Sequence, residues 1–140
     1  MNAQVLVLDA NILIRAVLGN KVRNYIIKYN DDVDFFTPDV CIKDAEKYLP
    51  QLFINRGLSP EPALEVLHYI QRMLKVVTLD IYKNFKDDAI LRIQARDIND
   101  WPIVATALTF SSAIWTEDQD FFGSGISTWT TRNIHIFFES

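Results

Sequence analysis

The chain has 140 residues, of which 49% are hydrophobic and 23% charged, and its formal net charge is −4. This length and composition exclude a disordered or low-complexity protein, and they predict one domain over residues 1–140. The single cysteine excludes an internal disulfide and fits a cytoplasmic location, and no apolar run approaches the roughly 18 residues of a membrane span.

Short strands alternate with helices along the chain. The predicted strands are 5–8, 33–37, 76–79, 113–116 and a last one marked by the alternating Ile134, Ile136 and Phe138. The predicted helices are 12–18, 22–29, 39–56, 59–74, 82–95 and 100–110. This order predicts an α/β fold, with a central and mostly parallel sheet of about five strands and helices on both faces.

The net negative charge comes from the second half of the chain. From Asp97 to Thr131 there is no lysine or arginine, although the stretch contains several acids: Asp97, Asp100, Glu117, Asp118 and Asp120. Acidic side chains without nearby cations repel one another. They are therefore either spread over solvated loops or gathered around a bound cation.

Two acids follow predicted strands. Asp9 comes directly after the first strand, and Asp118 lies two residues beyond the fourth. Because ligands collect where the carboxyl ends of parallel strands meet, both carboxylates should lie at one edge of the sheet.

Two further acids lie on or beside the inward faces of predicted helices. Glu46 falls at the border of the apolar face of the 39–56 helix, where a carboxylate is costly unless paired or bent outward to solvent. Asp100 projects onto the same face of the 100–110 helix as the apolar Ile103 and Val104. However, an aspartate at the start of a helix is also a good N-cap. Asp118 and Asp120 could equally be simple turn residues.

Taken together, these acids form an oxygen-rich set that suits Mg²⁺ or Mn²⁺. Neither histidine belongs to the set: His68 lies in a helix that looks like packing, and His135 alternates with core residues in the last predicted strand, so both should be structural. Without a His, Cys or evident Ser nucleophile, the remaining chemistry is attack by metal-activated water, with a phosphodiester as the leading substrate.

Four segments in order then become recognisable. They are residues 8–11 after the first strand, Glu46 in the helix after the second strand, residues 95–108 around Asp100, and residues 115–121 around Asp118. Over nearly the whole chain they resemble the PIN domain family, and within it the small single-domain proteins similar to VapC toxins.

The resemblance implies a three-layer α/β/α sandwich and a Mg²⁺- or Mn²⁺-dependent ribonuclease, a toxin-like component of a toxin–antitoxin system. It implies that an acidic quartet carries the metal and the catalysis: Asp9, Glu46, Asp100 and Asp118. Asn11 and Thr116 would support the quartet by hydrogen bonding. Asp97 and Asp120 are the alternatives within their segments and could be additional or supporting ligands.

The expected partners are single-stranded or loop RNA, an antitoxin protein and a second copy of the chain. Because an acidic cleft repels phosphate, attraction must come from its rim, and the candidates are Arg15, Lys21, Arg23 and Lys43. Two alternatives remain at this point. One is a PIN-fold protein that does not cleave RNA and acts through a protein partner, and the other is a phosphatase on a similar sheet.

Overall fold

The structure is a computed structural model that describes residues 4–140. Its strands are β1 Gln4–Leu8, β2 Val33–Pro38, β3 Lys75–Val77, β4 Ala113–Trp115 and β5 Thr128–Trp129. Its α-helices are α1 Ala10–Leu18, α2 Asn20–Tyr29, α3 Asp39–Asn55, α4 Glu61–Gln71, α5 Leu79–Tyr82, α6 Lys86–Ile93, α7 Trp101–Phe110 and α8 Ile134–Glu139. None of these helices is long and apolar enough to cross a membrane.

The five strands form one parallel sheet in the order β3-β2-β1-β4-β5. β1 therefore lies in the middle of the sheet. β2 and β3 lie on one side of it, and β4 and β5 on the other. Successive right-handed crossovers in opposite directions place their helices on opposite faces. Accordingly, α1 packs against α2, α3 and α4, whereas α7 packs against α5, α6 and the strands β1, β2 and β4. The predicted fold class is confirmed.

The sheet is continuous with the apolar core. β1 ends in Leu6, Val7 and Leu8, which are all fully buried, because a central strand is covered by helices on both faces. Trp115 on β4 is also fully buried, and its indole N–H donates to Thr131 Oγ1 at 3.2 Å. The core thus fixes the ends of β1 and β4, the two strands that precede the predicted acids.

The last predicted strand is wrong, because residues 134–139 form helix α8. Ile134 and Phe138 are buried, whereas Ile136 is 53% exposed. Residues four apart share one face of a helix, so this pair satisfies a helical period as well as an alternating one. The Phe138 ring stacks on Tyr29 at 4.3 Å. His135 lies on the exposed side of α8 and does not alternate with core residues.

The true fifth strand is only two residues long. In β5, Trp129 pairs with Trp115, and the Trp129 carbonyl accepts a hydrogen bond from Thr116 N at 2.9 Å. The predicted 82–95 helix is also divided, since α5 ends at Tyr82 and a 3₁₀ turn, Lys83–Phe85, separates it from α6.

Candidate metal centre

Asp9 stands at the carboxyl end of β1 and caps helix α1. It is 6% exposed. Its Oδ1 accepts a hydrogen bond from Ala10 N at 2.7 Å, and its Oδ2 accepts from Thr116 Oγ1 at 2.7 Å. Asn11 Nδ2 donates to the same Oδ2 at 3.1 Å. These donors hold the Asp9 carboxylate in one orientation.

Thr116 and Asn11 join the end of β1 to the loop after β4. Thr116 is fully buried, and its Oγ1 accepts a hydrogen bond from Asp118 N at 2.9 Å while donating to Asp9. Asn11 Oδ1 accepts from Glu117 N at 3.2 Å. The two strand-end acids are therefore coupled through one hydroxyl, at the edge of the sheet where the strand order predicts them.

Three further carboxylates converge beside this network. Asp100, Asp118 and Asp120 each offer one oxygen, and these oxygens lie within 4.8 Å of one another. Asp118 Oδ1 also accepts a hydrogen bond from Asp120 N at 2.9 Å, which caps a 3₁₀ turn. Asp97 is exposed and caps the short turn before α7 by accepting from Asn99 N at 3.0 Å.

The charges around Asp100 are unfavourable to its ionised form. Burial, and to a lesser extent the charges of the nearby carboxylates, together raise the pKa of Asp100 to about 7; these carboxylates are Asp9, Asp97, Asp118 and Asp120. Burial is also the main cause that raises the pKa of Asp9, and the charges of Asp118 and Asp44 add to it. Hydrogen bonds from Thr116 and Ala10 oppose that rise.

One oxygen of this site lacks a partner. Asp100 Oδ2 is buried and accepts no hydrogen bond from the residues that the structure describes. A buried polar atom without a partner is costly, and such an atom calls for a proton or a bound cation. Because several carboxylate oxygens surround it, the residues fit a hard divalent cation such as Mg²⁺ or Mn²⁺.

Helix α3 carries two candidate acids, the predicted Glu46 and Asp44. Glu46 is not among the converging carboxylates; its side chain is 44% exposed, and its Oε2 lies 3.6 Å from His68 Nε2. His68 is itself 53% exposed, so it does not pack in the core. Asp44, in contrast, lies close enough for its charge to raise the pKa of Asp9.

A helical projection shows where Asp44 and Glu46 lie around helix α3. At 100° per residue, Asp44 lies within one turn of the buried Cys41 and on the same side of α3, whereas Glu46 is rotated about 140° from Cys41. The Asp44 charge also raises the pKa of the Cys41 thiol.

The basic residues predicted at the rim occupy different environments. Arg15 is 55% exposed on its side chain and lies 4.0 Å from Glu117 Oε2, and it lines one groove with Lys21. Arg23 is engaged at the end of α1, where it donates to the carbonyls of Ala16 and Gly19 at 2.9 Å each. Lys43 is exposed on α3.

The chain is an α/β domain with acids at the carboxyl edge of a parallel sheet, where such folds place their ligand sites. The chain belongs to the PIN domain family, whose pattern matches residues 7–139. PIN domains are generally nucleases, and the acidic cluster described above is consistent with that. No curated protein sequence matches the chain significantly.

Solved structures share this fold. VapBC2 from Rickettsia felis, bound to a DNA fragment from its promoter, has a TM-score of 0.69 and 12% identity, covering 91% of this chain and 98% of that one. PAE2754 from Pyrobaculum aerophilum has a TM-score of 0.72 and 15% identity, with coverage of 98% and 90%. A toxin–antitoxin complex from Klebsiella pneumoniae has a TM-score of 0.62 and 13% identity, with coverage of 90% and 97%. At such identities the likeness concerns the fold.

Proposed function

We propose that this PIN domain is a Mg²⁺- or Mn²⁺-dependent ribonuclease that hydrolyses single-stranded or loop RNA. The observation that carries the proposal is the buried Oδ2 of Asp100, which has no hydrogen-bond partner within residues 4–140 and lies among converging carboxylates. Several partly desolvated acids, whose charges raise the pKa of Asp100, are a poor arrangement for stability alone. They become favourable when a divalent cation neutralises them.

The residues that would hold the cation are Asp9, Asp100 and Asp118, with Asp120 as a further ligand. When bound, the cation supplies an activated water and stabilises the leaving oxygen of the phosphodiester. Thr116 and Asn11 orient Asp9 through their hydrogen bonds to its Oδ2. Such outer partners typically change metal affinity or activity by about 10- to 100-fold.

Asp100 has a second role in this proposal. Its pKa of about 7 means that, without a cation, about half of the Asp100 carboxyls hold a proton at neutral pH. A carboxylate must be deprotonated before it can ligate a cation, so cation binding should release this proton and strengthen as pH rises.

Helix α3 would supply a further acid to the centre. We propose Asp44 as the α3 carboxylate that completes the centre, because its charge acts on Asp9. Glu46 stays a prediction from the family resemblance; its carboxylate lies beside His68, on a groove that also includes Gln71 and Arg72.

RNA would approach along the rim. The converging acids repel phosphate, so we propose that Arg15 and Lys21, which line a common groove, contribute the attraction. Lys43 is a further candidate on α3, whereas Arg23 already serves the α1 terminus. An extended strand reaches a recessed edge more easily than a duplex does, which favours single-stranded or loop RNA.

The partner proposal follows from the relatives that share the fold. The Klebsiella pneumoniae structure is a toxin–antitoxin complex. We propose that this chain is likewise a toxin-like, cytoplasmic component that an antitoxin neutralises, and that it forms a homodimer.

Cleavage of end-labelled single-stranded RNA by the purified chain tests the proposal. Wild type should cleave with Mg²⁺ or Mn²⁺ and stop with EDTA. Asp100→Asn should lose more than the roughly 100-fold that outer partners can cost, whereas Asp87→Asn on the exposed side of α6 should retain activity. Cleavage that persists in excess EDTA would contradict the mechanism, and inactive wild type would favour a PIN-fold protein that acts by binding alone.

A further inference from the structure

Two arginines from outside the acidic stretch reach into the segment that carries Asp118 and Asp120. Arg92, on α6, donates from Nη1 to the Ser124 carbonyl at 2.8 Å and from Nε to Asp88 Oδ1 at 2.9 Å. Arg96, three residues beyond α6, donates from Nη1 to the Gln119 carbonyl at 3.5 Å. Residues 98–130 contain no lysine or arginine, so these guanidinium groups bring positive charge that the segment itself lacks.

The contacted carbonyls bracket the turn that presents the two acids. Gln119 begins the 3₁₀ turn Gln119–Phe121, and Ser124 lies three residues beyond its end. Phe121 is fully buried and anchors the turn in the core, and its carbonyl accepts from Ser124 N at 3.2 Å. Since Asp118 Oδ1 accepts from Asp120 N within this turn, a shift of the turn would move both carboxylates.

Gly125 is adapted to the Arg92 contact. Its φ of +83° favours glycine, and a Cβ at this position would lie 2.6 Å from Arg92 Nη1. Any side chain there would displace the guanidinium from the Ser124 carbonyl. Gly123 has a similar φ of +88°, but a Cβ there would lie 4.0 Å from Arg96 Nη2, which is an ordinary contact.

We propose that Arg92 is a positioning residue of the metal centre: by holding the Ser124 carbonyl, it fixes the 118–125 segment and thereby sets the affinity of the Asp118 and Asp120 carboxylates for a divalent cation. This inference rests on the proposed function, because it assumes that these carboxylates bind a cation. The hydrogen bonds of Arg92 go to Asp88 and to the Ser124 carbonyl. Arg92 acts through the backbone.

Two measurements on the full chain test the role. Hydrogen exchange of the backbone amides of Asp120 and Ser124, without metal, reports the order of the segment. Titration with Mn²⁺, followed by the electron paramagnetic resonance signal of the free ion, reports affinity. In Arg92→Met, both amides should exchange about tenfold faster and the Mn²⁺ Kd should rise about tenfold, the effect of one charge-assisted hydrogen bond.

Matched variants separate positioning from a general loss of stability. Arg92→Lys can still donate to the Ser124 carbonyl and should recover much of the affinity. Asp88→Asn leaves that contact in place and should bind Mn²⁺ nearly as wild type does. Gly125→Ala should weaken Mn²⁺ binding more than Gly123→Ala, because both strain a positive φ but only the first displaces the guanidinium.

The outcomes distinguish this inference from the proposed function. If wild type binds Mn²⁺ and Arg92→Met binds it equally tightly, the positioning role is overturned while the metal centre stands. An equal effect of Asp88→Asn and Arg92→Met would also overturn it, since the Ser124 contact would then be irrelevant. If wild type does not bind Mn²⁺, the proposed function fails, and the role of Arg92 at a metal centre falls with it.

Discussion

The pH dependence of stability at Asp100 follows directly from the environment of its carboxyl group. In the metal-free native state its pKa is raised from 3.8 to about 7 by burial and by neighbouring carboxylates. Between these two values the native state binds the Asp100 proton and the unfolded chain does not. The Asp100 contribution to the free energy of unfolding must therefore fall as pH rises from about 4 to about 7, and level off above.

The size of the effect is a few kcal/mol. One pKa unit corresponds to about 1.4 kcal/mol, so the shift would amount to roughly 4 kcal/mol for a fully buried group. The Asp100 side chain is only partly buried, and screening by solvent reduces the effect, so we expect about 2 kcal/mol. Asp100→Asn removes the titrating group while keeping its shape.

Urea denaturation in EDTA at several pH values between 4 and 8 measures this contribution. The free energy of unfolding of Asp100→Asn, relative to wild type, should increase by about 2 kcal/mol across the range. Asp87→Asn, at an exposed position on α6, should show no comparable trend. If the difference between Asp100→Asn and wild type is constant with pH, Asp100 does not titrate in this range, and the account of a desolvated acidic centre is refuted.

Three further predictions concern the same edge of the sheet. In EDTA, Asp118→Asn should melt at a higher temperature than wild type because a repelling charge is lost. Mn²⁺ at a hundredfold excess over Kd should raise the melting temperature of wild type by roughly 5 to 10 °C and that of Asp118→Asn by less. Thermal melts that show the reverse order would contradict this. Asp44→Asn should reduce RNA cleavage more than Glu46→Gln, and equal rates in a cleavage assay would remove Asp44 from the centre. Thr116→Val should lower the free energy of unfolding by about 1 to 3 kcal/mol, because the buried hydroxyl serves both Asp9 and Asp118 N, and urea denaturation at fixed pH measures the loss.

The strand ends were the most predictable part of the site. Asp9 directly follows a continuous apolar run, and such runs form central strands covered on both faces. Once the strands are parallel, the carboxyl ends of β1 and β4 must share an edge, which brings Asp118 near Asp9. The structure links the two residues through Thr116, whose hydroxyl donates to the Asp9 carboxylate and accepts from Asp118 N.

Elements with ambiguous periods were less predictable. Ile134 and Phe138 are four residues apart, a spacing that fits an alternating strand and a helical face equally well, and packing on Tyr29 favours the helix. β5 has only two residues, which is too short to show any period.

The sequence does not predict contacts that depend on the path of a loop. Arg92 and Ser124 are 32 residues apart, and the place of the guanidinium depends on Gly125, which has a positive φ and no Cβ to displace it. The distinction between Asp97 and Asp100 also depends on tertiary structure. Both can cap a turn, but only Asp100 is partly buried with an oxygen that lacks a partner among the described residues.

A crystal structure of the chain soaked in Mn²⁺ tests the central claim most directly, because anomalous scattering locates the ion without reference to activity. We predict an anomalous peak within bonding distance of Asp100 Oδ2 and in contact with carboxylate oxygens of Asp9, Asp118 or Asp120. The same soak of Asp100→Asn should show a weaker peak or none. A peak confined to the groove at Glu46 and His68, or no peak at the acidic edge of wild type at millimolar Mn²⁺, would contradict the metal centre and with it the proposed mechanism.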